Sequence, residues 1–135
     1  MGQPTPHFIA FPTFENESSF LSVAEYDQHI PFVIERIYWS YGNANTTERG
    51  SHFHPISDRV IICMYRNIEV TLENLKGETT KYELTNPNQG LVIPSNHWIS
   101  MKLAPNAIML AIASSKFSEG ESIKDRSVFE VLKNG

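Results

Sequence analysis

The chain has 135 residues, a net charge of −4 and a single cysteine, Cys63. That length suits one domain over residues 1–135, with a core large enough to need no staples, and one cysteine excludes an intrachain disulfide. The 11 Lys and Arg are dispersed without a basic stripe, which argues against nucleic acid as a partner, and no apolar run nears the ~18 residues of a membrane span.

The opening Met-Gly-Gln-Pro-Thr-Pro-His lacks a basic region followed by an apolar run. No signal peptide is read there, and a cytoplasmic protein is expected. Residues 8–11 and 20–25 are short and apolar-rich, suited to short strands. Residues 31–39 are β-branched and aromatic and predict a strand. Alternation puts Phe32, Ile34, Arg36 and Tyr38 on one face, and Val33, Glu35, Ile37 and Trp39 on the other. Two arrangements remain open at this point. Either Arg36 and Tyr38 line a polar cavity, or their face is solvated and Val33, Ile37 and Trp39 are core.

Residues 42–48 read as a polar loop, followed by a short extended piece at 52–54. Strands are predicted at 59–65 and at 68–72, where Ile68, Val70 and Leu72 alternate with polar residues. Cys63 falls in the apolar run of the first and reads as a small buried hydrophobe. Asn74-Leu75-Lys76-Gly77 predicts a hairpin turn into a strand at 80–84. Asn86-Pro87-Asn88-Gln89-Gly90 predicts another turn. Strands at 91–93, 98–103 and 108–114 complete the pattern, and residues 122–132 carry the apolar spacing of a helix. Many short strands divided by turn signals predict an all-β sandwich or barrel, with a pocket at its mouth.

The sharpest chemical signal is His52-Phe53-His54. On an extended chain two residues one apart share a face, so these imidazoles enter one pocket. Paired imidazoles suit metal binding or proton transfer near neutral pH. The metal alternative recruits His97 from Pro94-Ser95-Asn96-His97, with Asp58 as a nearby acid. His52, His54 and His97 would then hold a divalent metal with one position open.

Beyond these local signals, several segments together resemble one family. They are Ile30-Pro31-Phe32 with Ile34, Arg36 and Tyr38; then Arg49-Gly50 with His52 and His54; then Gly90-Leu91 and Ile93 with Trp98 and Met101; then Ala113-Ser114 and a closing Phe129. This pattern resembles the nucleotide-sugar 3,4-ketoisomerases, WxcM-like cupins acting on dTDP-4-keto-6-deoxyhexoses. The resemblance implies a cupin-type jelly-roll β-barrel with a short C-terminal helix. It implies a homodimer that exchanges N-terminal strands, and chemistry without a metal or other cofactor. A keto group would move between C4 and C3 of a nucleotide-linked sugar through an enediol. His52, His54 and Tyr38 take the catalytic positions, with His52 as proton carrier, and Arg36 is a donor to the enediolate. Arg36, Arg49, Ser51, Asp58, Arg59, His97, Trp98 and Met101 are the substrate-contact candidates.

The chain departs from the family pattern in four places. Asn16-Glu17-Ser18-Ser19 stands where Asp-x-Arg-Gly is usual, and Asp58-Arg59 where Glu-Gln is usual. Arg66 replaces a turn glycine, and Ser122-Ile123-Lys124 replaces Tyr-Ile-Arg. Pocket changes around a retained histidine pair imply altered substrate specificity. They also keep open a catalytically silent cupin that binds a sugar nucleotide.

Overall fold

The structure is a computed structural model that describes residues 2–117 and 121–135. Its strands are β1 (His7–Ala10), β2 (Thr13–Glu15), β3 (Phe20–Ser22), β4 (Arg36–Ser40), β5 (Thr47–His52), β6 (Arg59–Tyr65), β7 (Ile68–Glu73), β8 (Thr79–Leu84), β9 (Gln89–Ile93), β10 (Trp98–Leu103) and β11 (Ile108–Ala113). One helix follows, α1 (Arg126–Asn134). The strands form a five-stranded sheet, β1-β9-β6-β11-β4, a four-stranded sheet, β5-β10-β7-β8, and the small pair β2-β3. All these pairings are antiparallel. This is the all-β architecture with a C-terminal helix that the sequence pattern predicts, in the jelly-roll form that the resemblance implies. No described helix is long and apolar enough to cross a membrane.

The two large sheets enclose the main core. Ile61, Cys63, Leu91, Ile93, Met109 and Ala111 meet Ile68, Val70, Leu72, Leu84, Ile99, Met101 and Leu103. On β7, Glu69, Thr71 and Glu73 lie on the less buried side, so the predicted alternation holds. β6 is different: Arg59 to Cys63 are all buried. A second cluster explains this, because Phe11, Ile30, Phe32 and Ile34 cover the other face of β6, β9 and β11. A strand covered on both faces reads as a continuous apolar run.

That cover also shortens β4. The strand starts at Arg36, not at 31 as predicted. Pro31 brings no N–H to a ladder, and Ile30, Phe32 and Ile34 pack over the sheet instead. The open question about β4 is decided. Ile37 and Trp39 are 50% and 61% exposed, while Arg36 and Tyr38 are half-buried on the opposite side. Tyr38 lies opposite Ala111, and Arg36 opposite Ala113. Two methyl side chains in the neighbouring strand leave room for a phenol and a guanidinium inside the barrel.

The loop predicted at 42–48 ends earlier than expected, because Thr47 to Leu103 and Glu48 to Lys102 already pair in β5 and β10. β2 was not predicted; three residues pair with β3 on the exposed N-terminal segment. The helix predicted at 122–132 begins at Arg126. Asp125 caps it by accepting from the Ser127 backbone N–H at 2.9 Å. Residues before the cap are committed elsewhere: Ile123 and Phe53 exchange backbone hydrogen bonds of 2.9 and 3.0 Å.

Candidate active site

The histidine pair is built by β5 and the residues just beyond it. Gly50 has φ +99°, and a Cβ there would stand 2.8 Å from the Ile99 carbonyl oxygen. Only glycine fits that close approach. The ladder between β5 and β10 shifts register between Ile99 and Ser100, opposite this point. A bulge of this kind re-aims the side chains that follow it. Phe53 is then fastened through Ile123, and its ring packs on Phe129 at 5.3 Å. With Phe53 drawn to the helix, His52 and His54 turn together, their ring centroids 4.5 Å apart and the planes at 89°.

His52 lines a cavity of about 100 Å³ together with Tyr38, Arg49, Gly50, Arg59 and Met101. The other walls are the apolar Ile61, Ile99 and Met109. Arg49 also borders two surface depressions, one beside Ser51 and Lys102 and one beside Tyr41 and Thr47. It therefore stands where the cavity meets the outside.

Arg59 organises the polar part of the cavity. Its Nη2 donates to His54 Nδ1 and lies 3.8 Å from a Glu121 carboxylate oxygen. Arg36 Nη2 donates to the other Glu121 oxygen at 2.9 Å. Both guanidinium groups also lie against the Tyr38 ring, at 5.0 Å for Arg36 and 5.8 Å for Arg59. An imidazole nitrogen that accepts from a guanidinium carries no proton, so neutral His54 bears its hydrogen on Nε2.

The ionisation states follow from burial and these cations. Burial, then Arg59, then His52 push His54 down to about 2. Burial and Arg59 also lower His52, against a backbone hydrogen bond at Gly50 that raises it. Burial raises the Tyr38 phenol, opposed by Arg59 and Arg36. For Glu121, burial acts to raise its pKa, but Ser115, Ser57, Arg36 and Arg59 outweigh it and hold the carboxyl below its usual range. At neutral pH the site therefore presents neutral histidines, a phenol, two guanidinium cations and one carboxylate.

These shifts predict a pH dependence of stability. His52, His54 and His97 are all held below the ordinary value of 6.5. Below pH 6.5 the unfolded chain takes up protons that the folded chain refuses. Stability is then full above 6.5 and is lost as pH falls toward the folded values, at about 1.4 kcal/mol per pH unit for each such proton. Urea unfolding should show a clearly lower midpoint at pH 5 than at pH 7; equal midpoints would contradict the neutral burial of these rings.

The other candidate residues go elsewhere. His97 is buried, but its Nδ1 bonds the Pro94 carbonyl at 3.0 Å. It lines a separate cavity with Gln3, Asn74 and Lys76. Trp98 packs against Phe53 and Phe129, with Arg126 5.0 Å from its ring centroid. Asp58 accepts from the Ser95 backbone N–H at 2.8 Å, tying the start of β6 to the 94–97 turn. Ser51 is exposed on the outer depression.

With this geometry in place, comparison with known proteins is specific. Residues 5–134 match the family described as FdtA: WxcM-like, C-terminal. The chain belongs to the WxcM-like FdtA family. A TDP-4-oxo-6-deoxy-alpha-D-glucose-3,4-oxoisomerase from Aneurinibacillus thermoaerophilus is 26% identical over 125 residues, covering 90% of this chain and 88% of that protein. A 3,4-ketoisomerase from Helicobacter canadensis superposes with TM-score 0.89 at 30% identity, covering 96% of this chain and 98% of the other. The TDP-fucose-3,4-ketoisomerase WlaRA from Campylobacter jejuni gives TM-score 0.88 at 28% identity over 97% of each chain.

The metal set considered from the sequence does not fit this member of the family. Among the described residues no three His, Cys, Asp or Glu side chains are placed to hold an ion. His97 faces another cavity, and the Nδ1 of His54 is taken by a cation. Conversely, two residues were missed by sequence reasoning. Glu121 is 6% exposed at the centre of the arginine pair, and Ser115 donates to it. In the sequence Glu121 follows Glu119 and Gly120 in a polar stretch, and nothing in that spacing marks it as buried.

Proposed function

We propose that the protein is a nucleotide-sugar 3,4-ketoisomerase acting on a dTDP-linked 4-keto-6-deoxyhexose. The observation that carries this reading is His52, a neutral imidazole facing a walled cavity beside Tyr38 and Arg59. Its family relatives of known activity interconvert keto groups at C3 and C4.

The chemistry balances with no outside reagent. His52 takes the C3 proton, and the C3–H electron pair becomes the C3=C4 bond of an enediolate with its charge on O4. A proton passes from the C3 hydroxyl to O4. The C3=C4 pair then takes a proton at C4, and C3 becomes the carbonyl. Histidine suits both halves because it can return what it removes. Arg59 lines the cavity and offers its guanidinium to the enediolate oxygen. Arg36, the donor implied by the resemblance, stands behind Tyr38 and is held by Glu121. Arg49, where the cavity meets the surface, is placed to hold the diphosphate.

A homodimer belongs to the same proposal. Phe14, Phe20 and Leu21 on the β2-β3 pair are exposed, as are Ile37 and Trp39 on the outside of β4. Apolar surface of this kind suits a second copy.

The test is incubation of purified protein, after treatment with a chelator, with TDP-4-keto-6-deoxyglucose in deuterated water. The 3-keto isomer should form, with solvent deuterium entering the sugar at the reacting carbons. Tight binding with neither turnover nor exchange would instead favour the catalytically silent reading.

A further inference from the structure

Glu121 does not line the cavity, yet it is the acid to which Arg36 and Arg59 both turn. One carboxylate oxygen takes Arg36 at 2.9 Å, and the other faces Arg59 at 3.8 Å and accepts from Ser115. Ser115 has one hydroxyl proton. It is directed at Glu121 or at Ser57 Oγ, 3.0 Å away. Glu121, 6% exposed, is thus held by Ser115 in the turn after β11 and by the two guanidinium groups.

The geometry at Arg59 Nη2 is the decisive point. This nitrogen carries two hydrogens, and it meets His54 Nδ1 on one side and Glu121 on the other. We propose that Glu121 is a positioning residue that holds Arg59 against His54 Nδ1 and so keeps the His54 proton on Nε2. The proposal rests on reading His52 and His54 as the proton-transfer pair. Without the carboxylate, Arg59 and Arg36, both against the Tyr38 ring, would lose their shared counter-charge. They would separate, and Arg59 would leave His54. The Nε2 of His54 is buried with no partner among the described residues. A fixed hydrogen there sets how the His54 ring meets His52; a ring free to change tautomer would not.

Ring ¹⁵N spectra of the wild type, Glu121→Gln and Glu121→Asp test this, with kcat and KM measured on the same samples. In the wild type, His54 should show an unprotonated Nδ1 and a protonated Nε2. Glu121→Gln should give a mixture of tautomers, with kcat lower by about 10–100-fold and KM within about threefold. Glu121→Asp should restore both signals in part. If Glu121→Gln fails to fold, Ser115→Ala frees one side of the carboxylate and is read the same way. A pure wild-type tautomer pattern in the folded variant would overturn the proposal. Absence of turnover in the wild type would count against the ketoisomerase reading alone, because the ring spectra judge Glu121 independently.

Discussion

Replacing His52 by alanine should lower kcat for keto transfer by about 10²–10⁴-fold, the usual worth of a positioned acid–base group. KM should change little, because Arg49, Arg59 and Tyr38 still line the cavity. Deuterium uptake from solvent should fall in parallel, since the same imidazole performs the abstraction. The measurement is product formation beside sugar proton exchange, on protein whose unfolding midpoint matches the wild type. Full exchange in the alanine variant would move the base elsewhere. Tyr38 is a poor substitute at neutral pH, because burial raises its phenol above the ordinary value.

Phe129→Ala should have the largest effect on stability, about 3–5 kcal/mol for a fully buried phenylalanine. Phe129 is completely buried and packs on Phe53 and Trp98, with ring centroids 5.3 and 5.7 Å away. It is also the one buried residue of α1. The remaining helix anchors are ion pairs: Arg126 and Lys133 each reach Glu73 at 2.7 Å. Such partly exposed pairs contribute roughly 0–1 kcal/mol, so they cannot replace the ring. Against a total stability of about 5–15 kcal/mol, the loss should shift the urea midpoint strongly. It should also reduce activity, because Phe53 lies between the two histidines and loses its backstop. A cost under about 1 kcal/mol would mean that the helix is not what holds Phe53.

Strands were legible where the apolar pattern is unbroken, whether it alternates or runs continuously, as in β6 at the predicted 59–65. Ile68, Val70 and Leu72 alternate with polar partners, and β7 is where the alternation predicts it. The histidine pair was legible for a related reason: one residue between two positions fixes their common face, and the rings are neighbours. The 31–39 segment misled because its apolar residues serve two surfaces. Ile30, Phe32 and Ile34 cap the back of a sheet, while Ile37 and Trp39 stay exposed. Periodicity sees apolar spacing and not which sheet covers it.

Long-range choices were the hardest to read. Arg59 sits in a run of apolar residues and is buried because Glu121, 62 positions later by number (121 − 59), supplies its counter-charge. Nothing local to either residue announces that pairing. His97 shows the converse. Its motif resembled a third metal ligand, but its ring turns back to the Pro94 carbonyl and away from the pair. The Asp58-Arg59 departure from the usual Glu-Gln now has a physical content: Asp58 ties down the Ser95 backbone, and Arg59 places a cation beside His52 and His54.

The central claim is that His52 faces the reacting carbons inside the barrel. A crystal structure of the His52→Asn variant with TDP-4-keto-6-deoxyglucose tests it most directly. The account predicts the sugar in the cavity between Tyr38 and Arg59, with C3 about 3.5 Å from the side chain at position 52 and the diphosphate against Arg49. A sugar bound in the separate cavity beside His97, or one that turns C3 and C4 away from position 52, would contradict it.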